Sequence, residues 1–253
     1  GSNSFWYSFD FEYIHFVSIS SEHDYNPGSS QYTWLENDLE DADGNRENVP
    51  WVIVFAHRPM YSSNGEGDGH GSEIEFRDAM ESLLFDYNVD LAIWGHDHHY
   101  ERTHPVFEEQ IYANNTGSYD DPYYLPDAPI HIVAGMAGRS IYDGFEEPQP
   151  EWSAYRELSY GYTQFEVTKS GTLHYEFIRN SDGIVSDEFW IVQSLDYEPS
   201  GTIDYPETGT NQTNETEEKD IIDKIKELNY ANAPISILIV TVVAIFKSRL
   251  REV

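Results

Sequence analysis

The chain has 253 residues, with 14 Lys and Arg against 46 Asp and Glu, a formal charge of −32, 39% hydrophobic residues, 15% aromatics and no Cys. That length can bury a sizeable core, and the 13 Phe, 19 Tyr and 6 Trp argue against global disorder despite the charge. The acidic balance excludes an ordinary nucleic-acid binder, which needs a basic field, and the missing Cys excludes a disulfide framework, a zinc knuckle and a thiol nucleophile.

In chain order, residues 7–9 and 13–19 read as two strands joined at Asp10-Phe11-Glu12. Residues 30–39 carry Trp34, Leu35 and Leu39 at helical spacing, with Ser29 or Ser30 as cap. Residues 49–55 form a continuous apolar run of strand length. Ser72-Glu73-Ile74-Glu75 reads as a capping box, and Phe76, Ala79, Met80, Leu83, Leu84 and Tyr87 follow on one helical face. Residues 90–94 and 129–134 are further apolar strands. Their apolar runs do not alternate, as expected of a sheet covered on both faces. Beyond residue 162 the pattern changes to an antiparallel meander, 162–168, 172–179 and 184–192, with turns at Lys169-Ser170-Gly171 and Asn180-Ser181-Asp182-Gly183.

Residues 198–219 read as a solvated linker. Ile221, Ile222, Ile225 and Leu228 then fall at helical spacing, and 233–246 is apolar and followed by Lys247, Arg249 and Arg251. This pattern is that of a candidate C-terminal membrane helix with a basic flank, although fourteen residues span only about 21 Å against a ~30 Å hydrocarbon core. Asn-x-Thr triplets begin at Asn114, Asn211 and Asn214 and favour an extracytoplasmic main domain. The N-terminus has neither a basic n-region nor an apolar h-region and opens inside a strand pattern, as a fragment would.

Two apolar strands end in histidine, Val54-Phe55-Ala56-His57 and Trp94-Gly95-His96-Asp97-His98. In α/β folds, ligands gather at the carboxyl ends of strands. A histidine there is held by a rigid element and still reaches solvent, which suits a metal ligand. His96 and His98 are two apart, so extended geometry would project them to one side, and Gly95 would let the backbone turn before them. His57, His96 and His98 are therefore the candidate metal ligands. His99 and His104 are not counted among them, and His15, His23, His131 and His174 read as structural histidines.

These residues resemble a known family. Val54-x-x-His57 with Arg58-Pro59-Met60-Tyr61-Ser62-Ser63, and Gly95-His96-x-His98 with Tyr100-Glu101-Arg102, are similar to the last two metal motifs of purple acid phosphatases, within the calcineurin-like metallophosphoesterases. Trp6-Tyr7-Ser8-Phe9-Asp10, Gly135-Met136-Ala137-Gly138, Glu147-Pro148-x-Pro150 and Asp187-Glu188-Phe189-Trp190 extend the likeness over residues 5–192. The resemblance implies an α/β fold, the C-terminal part of a four-layer αββα sandwich followed by the meander. It implies a division into a catalytic-domain part over 1–126, a purple acid phosphatase C-terminal region over 127–195, an acidic linker over 196–219 and a helical tail over 220–253.

The resemblance also implies a binuclear centre, Fe(III) with Fe(II), Zn(II) or Mn(II), on which a hydroxide attacks a phosphate monoester in line. His57 and His96 would bind the divalent ion and His98 the iron. His70, on the Gly-rich loop Gly69-His70-Gly71, would contact the phosphate. The family's first three metal motifs lie upstream of the residues matched, and no Gly-Asn-His or Gly-Asp-x-x-Tyr occurs in this sequence. Three imidazoles cannot hold two ions, since even one zinc takes three or four protein ligands. The expectation is the C-terminal portion of a secretory-pathway phosphomonoesterase, extracellular or membrane-anchored, inactive by itself. The alternatives are a non-catalytic remnant acting as a binding module and a diesterase or pyrophosphatase of the same superfamily.

Overall fold

A computed structural model describes residues 5–65, 70–113, 115–142 and 144–193. The linker, the helical tail with its apolar stretch 233–246, and Asn114, Asn211 and Asn214 lie outside the described residues. Among the described residues, no helix is long and apolar enough to cross a membrane.

The elements run β1 (Tyr7–Phe11), β2 (Ile14–Ser18), α1 (Ser30–Asp43), β3 (Trp51–Ala56), α2 (Ile74–Asp86), β4 (Leu91–Trp94), β5 (Tyr100–Phe107), β6 (Gln110–Ile111), β7 (Tyr123–Tyr124), β8 (Ile130–Ala134), β9 (Ser153–Glu157), β10 (Gly161–Val167), β11 (Thr172–Arg179) and β12 (Val185–Val192). An eight-stranded sheet is ordered β1-β2-β3-β4-β8-β5-β6, with β9 also on β5. Its centre, β2-β3-β4-β8, is parallel. A four-stranded sheet is ordered β10-β11-β12-β7.

The unalternating strands are explained by cover on both faces. On one side Val17, Val52, Val54, Ala92 and Trp94 pack against Leu35 and Leu39 of α1 and Phe76, Met80, Leu83 and Leu84 of α2. On the other, Ile14, Trp51, Ile53, Leu91, Ile93, Ile130 and Ile132 pack against Phe165, Leu173, Tyr175, Phe177, Phe189 and Ile191 of the small sheet. The described residues thus form three layers, helices on sheet on sheet.

One local expectation needs correction, and one strand was not expected. Ser29 caps α1, its Oγ accepting from the Tyr32 amide at 3.1 Å, but α2 has no capping box. Its N-cap is Glu73, without a side-chain cap bond, because the Ser72 hydroxyl is taken by Ser62, accepting from its amide at 3.0 Å and donating to its carbonyl at 3.2 Å. The sequence reading also passed over β5, where charged residues interrupt the strand pattern. Glu101 and Arg102 are buried there because each finds partners on other strands.

His131 is structural, as its setting within an apolar strand suggests. It is buried, and its Nδ1 accepts from the Trp94 indole at 3.1 Å, so any ring proton sits on Nε2, which has no partner. Burial, with a smaller effect from the Arg77 charge, pushes its pKa from 6.5 to about 3. An unfolded chain therefore binds the extra proton between those values. The stabilisation from a neutral His131 is complete above about pH 6.5 and is lost as pH falls toward 3. Between pH 7 and pH 5 the wild-type chain should lose about 2 kcal/mol more than His131→Phe in urea titrations. Parallel pH profiles would contradict this.

Candidate metal centre

The site is built at the carboxyl ends of β3 and β4. These neighbours pair in parallel with Ala56 opposite Trp94, so His57 and His96, one and two residues further on, leave the sheet side by side. The Gly95 amide donates to the His57 carbonyl at 2.9 Å and ties the two exits together. Nε2 of His57 and Nδ1 of His96 are 3.0 Å apart, with the rings edge to face. Two nitrogens each about 2.0–2.1 Å from one ion would be separated by a little more than this.

The segment 95–99 is not extended, contrary to the expectation drawn from the spacing of His96 and His98. His96 has φ +62°, in the left-handed region that few residues other than glycine enter, and the Asp97 and His99 amides bond back to the Gly95 and Asp97 carbonyls at 2.7 and 2.9 Å. The tight turns put Asp97 and His99 inside and leave His96 and His98 half-buried on the open side. The two histidines do share a side, but the device is a left-handed histidine rather than a pleat.

A continuous series of rings follows. His96 lies 4.7 Å from His70, His70 lies 4.8 Å from Tyr142, and Tyr142 lies 4.6 Å from His98. The Tyr142 hydroxyl reaches His70 Nδ1 at 2.9 Å, and His98 Nδ1 lies 3.1 Å from the Ser140 carbonyl. The four sequence-derived candidates are thus linked by ring contacts, His57 to His96, His96 to His70, and His70 through Tyr142 to His98. Ligand atoms of His70, His96 and Asp97 fall within 4.8 Å of one another, the dimension of a site for a single ion. Beside His70 opens a pocket of about 430 Å³ whose wall includes Ser62, Asn64, Gly71, Ser72 and Trp152.

Sequence reasoning missed Asp97 and Tyr142. Asp97 is fully buried; it accepts from the Gly71 amide at 2.9 Å and from the Ser62 hydroxyl, and lies 3.1 Å from His70 Nδ1. It fixes the loop that carries His70 against the loop that carries His96. Its place between two histidines was a usable signal. Tyr142 had none, since only the chain's path brings it back between His70 and His98. Nor was Glu101 found: it accepts from the Ser63 amide and hydroxyl at 2.7 and 2.6 Å and from the Ser153 hydroxyl at 2.6 Å, with His99 Nε2 at 3.3 Å. Burial pushes its pKa up, but these hydrogen bonds, led by His99, outweigh burial and hold it below the usual carboxylate range. His99 is thus buried and engaged by Glu101, and His104 bonds the Tyr123 hydroxyl at 3.1 Å.

The donor chemistry fits a cation. Burial and then the neighbouring His96 lower the His57 pKa, and burial lowers that of His98 despite its bond to Ser140. A neutral imidazole presents a lone pair to a metal without a proton to displace.

Strand-end histidines side by side on two packed sheets suit a metal-dependent class, and the family description "Calcineurin-like phosphoesterase" matches residues 4–100. A second, "Iron/zinc purple acid phosphatase-like protein C", matches residues 128–188. The chain belongs to the purple acid phosphatase family. It is 35% identical to acid phosphatase type 7 of Mus musculus over 75% of this chain and 46% of the mouse protein. It is 36% identical to "Probable inactive purple acid phosphatase 1" of Arabidopsis thaliana over 76% of this chain and 30% of that protein. Among solved structures, a purple acid phosphatase from yellow lupin (Lupinus luteus) seeds superposes with TM-score 0.68 at 31% identity, over 75% of this chain and 33% of the lupin chain. The chain spans about half the length, or less, of the curated relatives it matches. The family implies a binuclear metal centre.

Proposed function

We propose that this chain supplies the histidine half of a binuclear phosphomonoesterase centre. In this reading His57 and His96 hold a divalent ion, Fe(II), Zn(II) or Mn(II), His98 holds Fe(III), and His70 contacts the phosphate. The observation that supports it is the series of ring contacts that brings these four side chains, from three separate segments, next to one another. When bound, the ion pair supplies positive charge for the phosphoryl oxygens and a nucleophile near neutral pH. The chain's own residues do the rest. Asp97 orients His70, Tyr142 spaces His70 from His98, and the adjoining pocket receives the alcohol portion of the monoester. The sheets and helices form part of the four-layer αββα sandwich, and the sequons support a location in the secretory pathway.

Carboxylate and phenolate ligands from the family's other motifs do not occur here, so residues 1–253 alone should be without turnover on p-nitrophenyl phosphate. They should still bind Zn(II), though weakly, and His96→Ala, which removes a direct ligand, should weaken that binding by at least the ~100-fold that loss of an outer-shell partner can cost. Turnover by the purified chain would refute the half-site, and unchanged zinc retention by H96A would refute the ligand assignment. The names of several plant relatives, which call them probable inactive, favour a second reading, a remnant that binds without hydrolysing. A longer natural polypeptide containing this chain that binds metal yet hydrolyses neither monoesters, diesters nor pyrophosphate would select it.

A further inference from the structure

With 46 carboxylates to 14 basic residues, an arginine in this chain has acidic partners to spare. Arg46, Arg58, Arg77, Arg102, Arg156 and Arg179 each meet a carboxylate at 2.8 Å or closer. Arg139 is the exception: it is exposed, and no carboxylate among the described residues pairs with it. Its planar fork of donors stays open to an anion from outside the chain.

The backbone around Arg139 is tied to the histidine turn. The Gly135 amide donates to the His99 carbonyl at 3.2 Å, and the Tyr142 amide to the His98 carbonyl at 3.3 Å. The carbonyl of Ser140, the residue after Arg139, lies 3.1 Å from His98 Nδ1. A carbonyl only accepts, so Nδ1 carries the ring proton and Nε2 keeps its lone pair for an ion. Arg139 is therefore held one residue from the group that orients His98. Burial favours the neutral form of that ring, and the Arg139 charge adds to the effect. The Tyr142 ring, 4.6 Å from His98, has His70 as its other neighbour at 4.8 Å.

We infer that Arg139 is a phosphoryl-contacting residue, its guanidinium binding oxygens of the phosphate dianion from the His98 side while His70 binds from the other. This rests on the centre proposed above. A dianion approaching a chain of net charge −32 needs local positive charge. The ions would supply most of it, and Arg139 adds a cation that no neighbouring carboxylate cancels. Arginine suits the role, because two parallel N–H donors match two phosphoryl oxygens. The pocket beside His70 is of opposite character. Glu109 and Glu146 line it, and the lining contains no lysine or arginine. The anionic end of an ester therefore belongs by Arg139 and its uncharged end in the pocket.

The test uses the full chain and phenylphosphonate, a phosphomonoester analogue that cannot be hydrolysed. Arg139→Met is compared with the conservative Arg139→Lys, and with Lys169→Met, which removes the same charge from a turn of the meander. Phenylphosphonate binding is measured by calorimetry with the zinc site filled and without zinc, and zinc affinity is measured separately. R139M should bind the phosphonate about tenfold or more weakly in both conditions, R139K should recover part of the loss, and K169M should match the wild type. Zinc affinity should be the same in all four chains, because no variant changes a ligand. Equal phosphonate affinity in R139M and wild type would overturn the inference, as would a wild-type chain that binds no phosphonate in either condition. A parallel loss of zinc in R139M would also overturn it, since Arg139 would then be a support of the loop. A wild-type chain that fails to bind zinc would count against the metal centre, and the zinc-free titrations would still decide the role of Arg139.

Discussion

Asp187→Ala should lower the stability of the folded chain by about 3–5 kcal/mol, the largest loss expected from any single carboxylate here. Asp187 on β12 receives Arg102 Nε and Nη2 of β5 at 2.7 and 2.8 Å, a two-pronged pairing across the inter-sheet space. The Tyr100 hydroxyl donates to the same carboxylate at 2.8 Å, and Arg102 Nη1 donates to the Tyr123 hydroxyl at 3.1 Å. All four residues are buried, and the guanidinium lies 5.0 Å from the Phe189 ring centre. Removing the carboxylate leaves a buried cation without a counter-charge, which water cannot reach to compensate. The melting temperature should fall by roughly 10 °C or more. The double change Arg102→Met with Asp187→Leu removes both charges and should cost clearly less than D187A alone. If D187A melts with the wild type, or the double variant is the worse of the two, the pair is not the clamp between the sheets.

Gly135→Ala should damage the metal centre without touching a ligand. Gly135 follows β8, which pairs with β4 with Val133 opposite Trp94, so its backbone runs beside the histidine loop. A Cβ built there would lie 1.8 Å from the Asp97 carbonyl oxygen and 2.7 Å from its carbon. Both are backbone atoms, so no side-chain rotation relieves the clash and the 95–99 turn must move. The cost should be about 3 kcal/mol, at the upper end of overpacking effects. Zinc affinity should fall about tenfold because the His96 and His98 rings shift with the loop. Gly138→Ala is the control. Its φ of +108° strains any side chain, but nothing lies within 4 Å of a Cβ there, so it should destabilise without a comparable loss of zinc. Equal zinc affinity in G135A and wild type would show that the turn does not hold the rings in place.

Much of the frame was legible in the residues, because buried parallel strands and amphipathic helices leave local signatures. The runs at 49–55, 90–94 and 129–134 became β3, β4 and β8, and the meander became β10 to β12. Where the reading failed, the signal was local but the cause was not. Ser72-x-x-Glu75 has the pattern of a capping box, yet Ser62 from the preceding loop competes for the serine. The charged residues of β5 leave no local strand signal, yet Glu101 and Arg102 are buried and satisfied by residues 38 and 85 positions away.

The sequence by itself determined the family, the helix–strand alternation and the three histidines at strand ends, since each rests on residue type and short spacing that any solvent-exposed chain would display. Only the tertiary structure decided that His70 and Tyr142 lie between His96 and His98, that buried Asp97 holds His70, and that β1 turns its aromatics outward. Those facts depend on which strands become neighbours and on what is left to cover them. Both are set by burial and polar satisfaction summed over segments far apart in the chain, a balance that no local stretch of residues records.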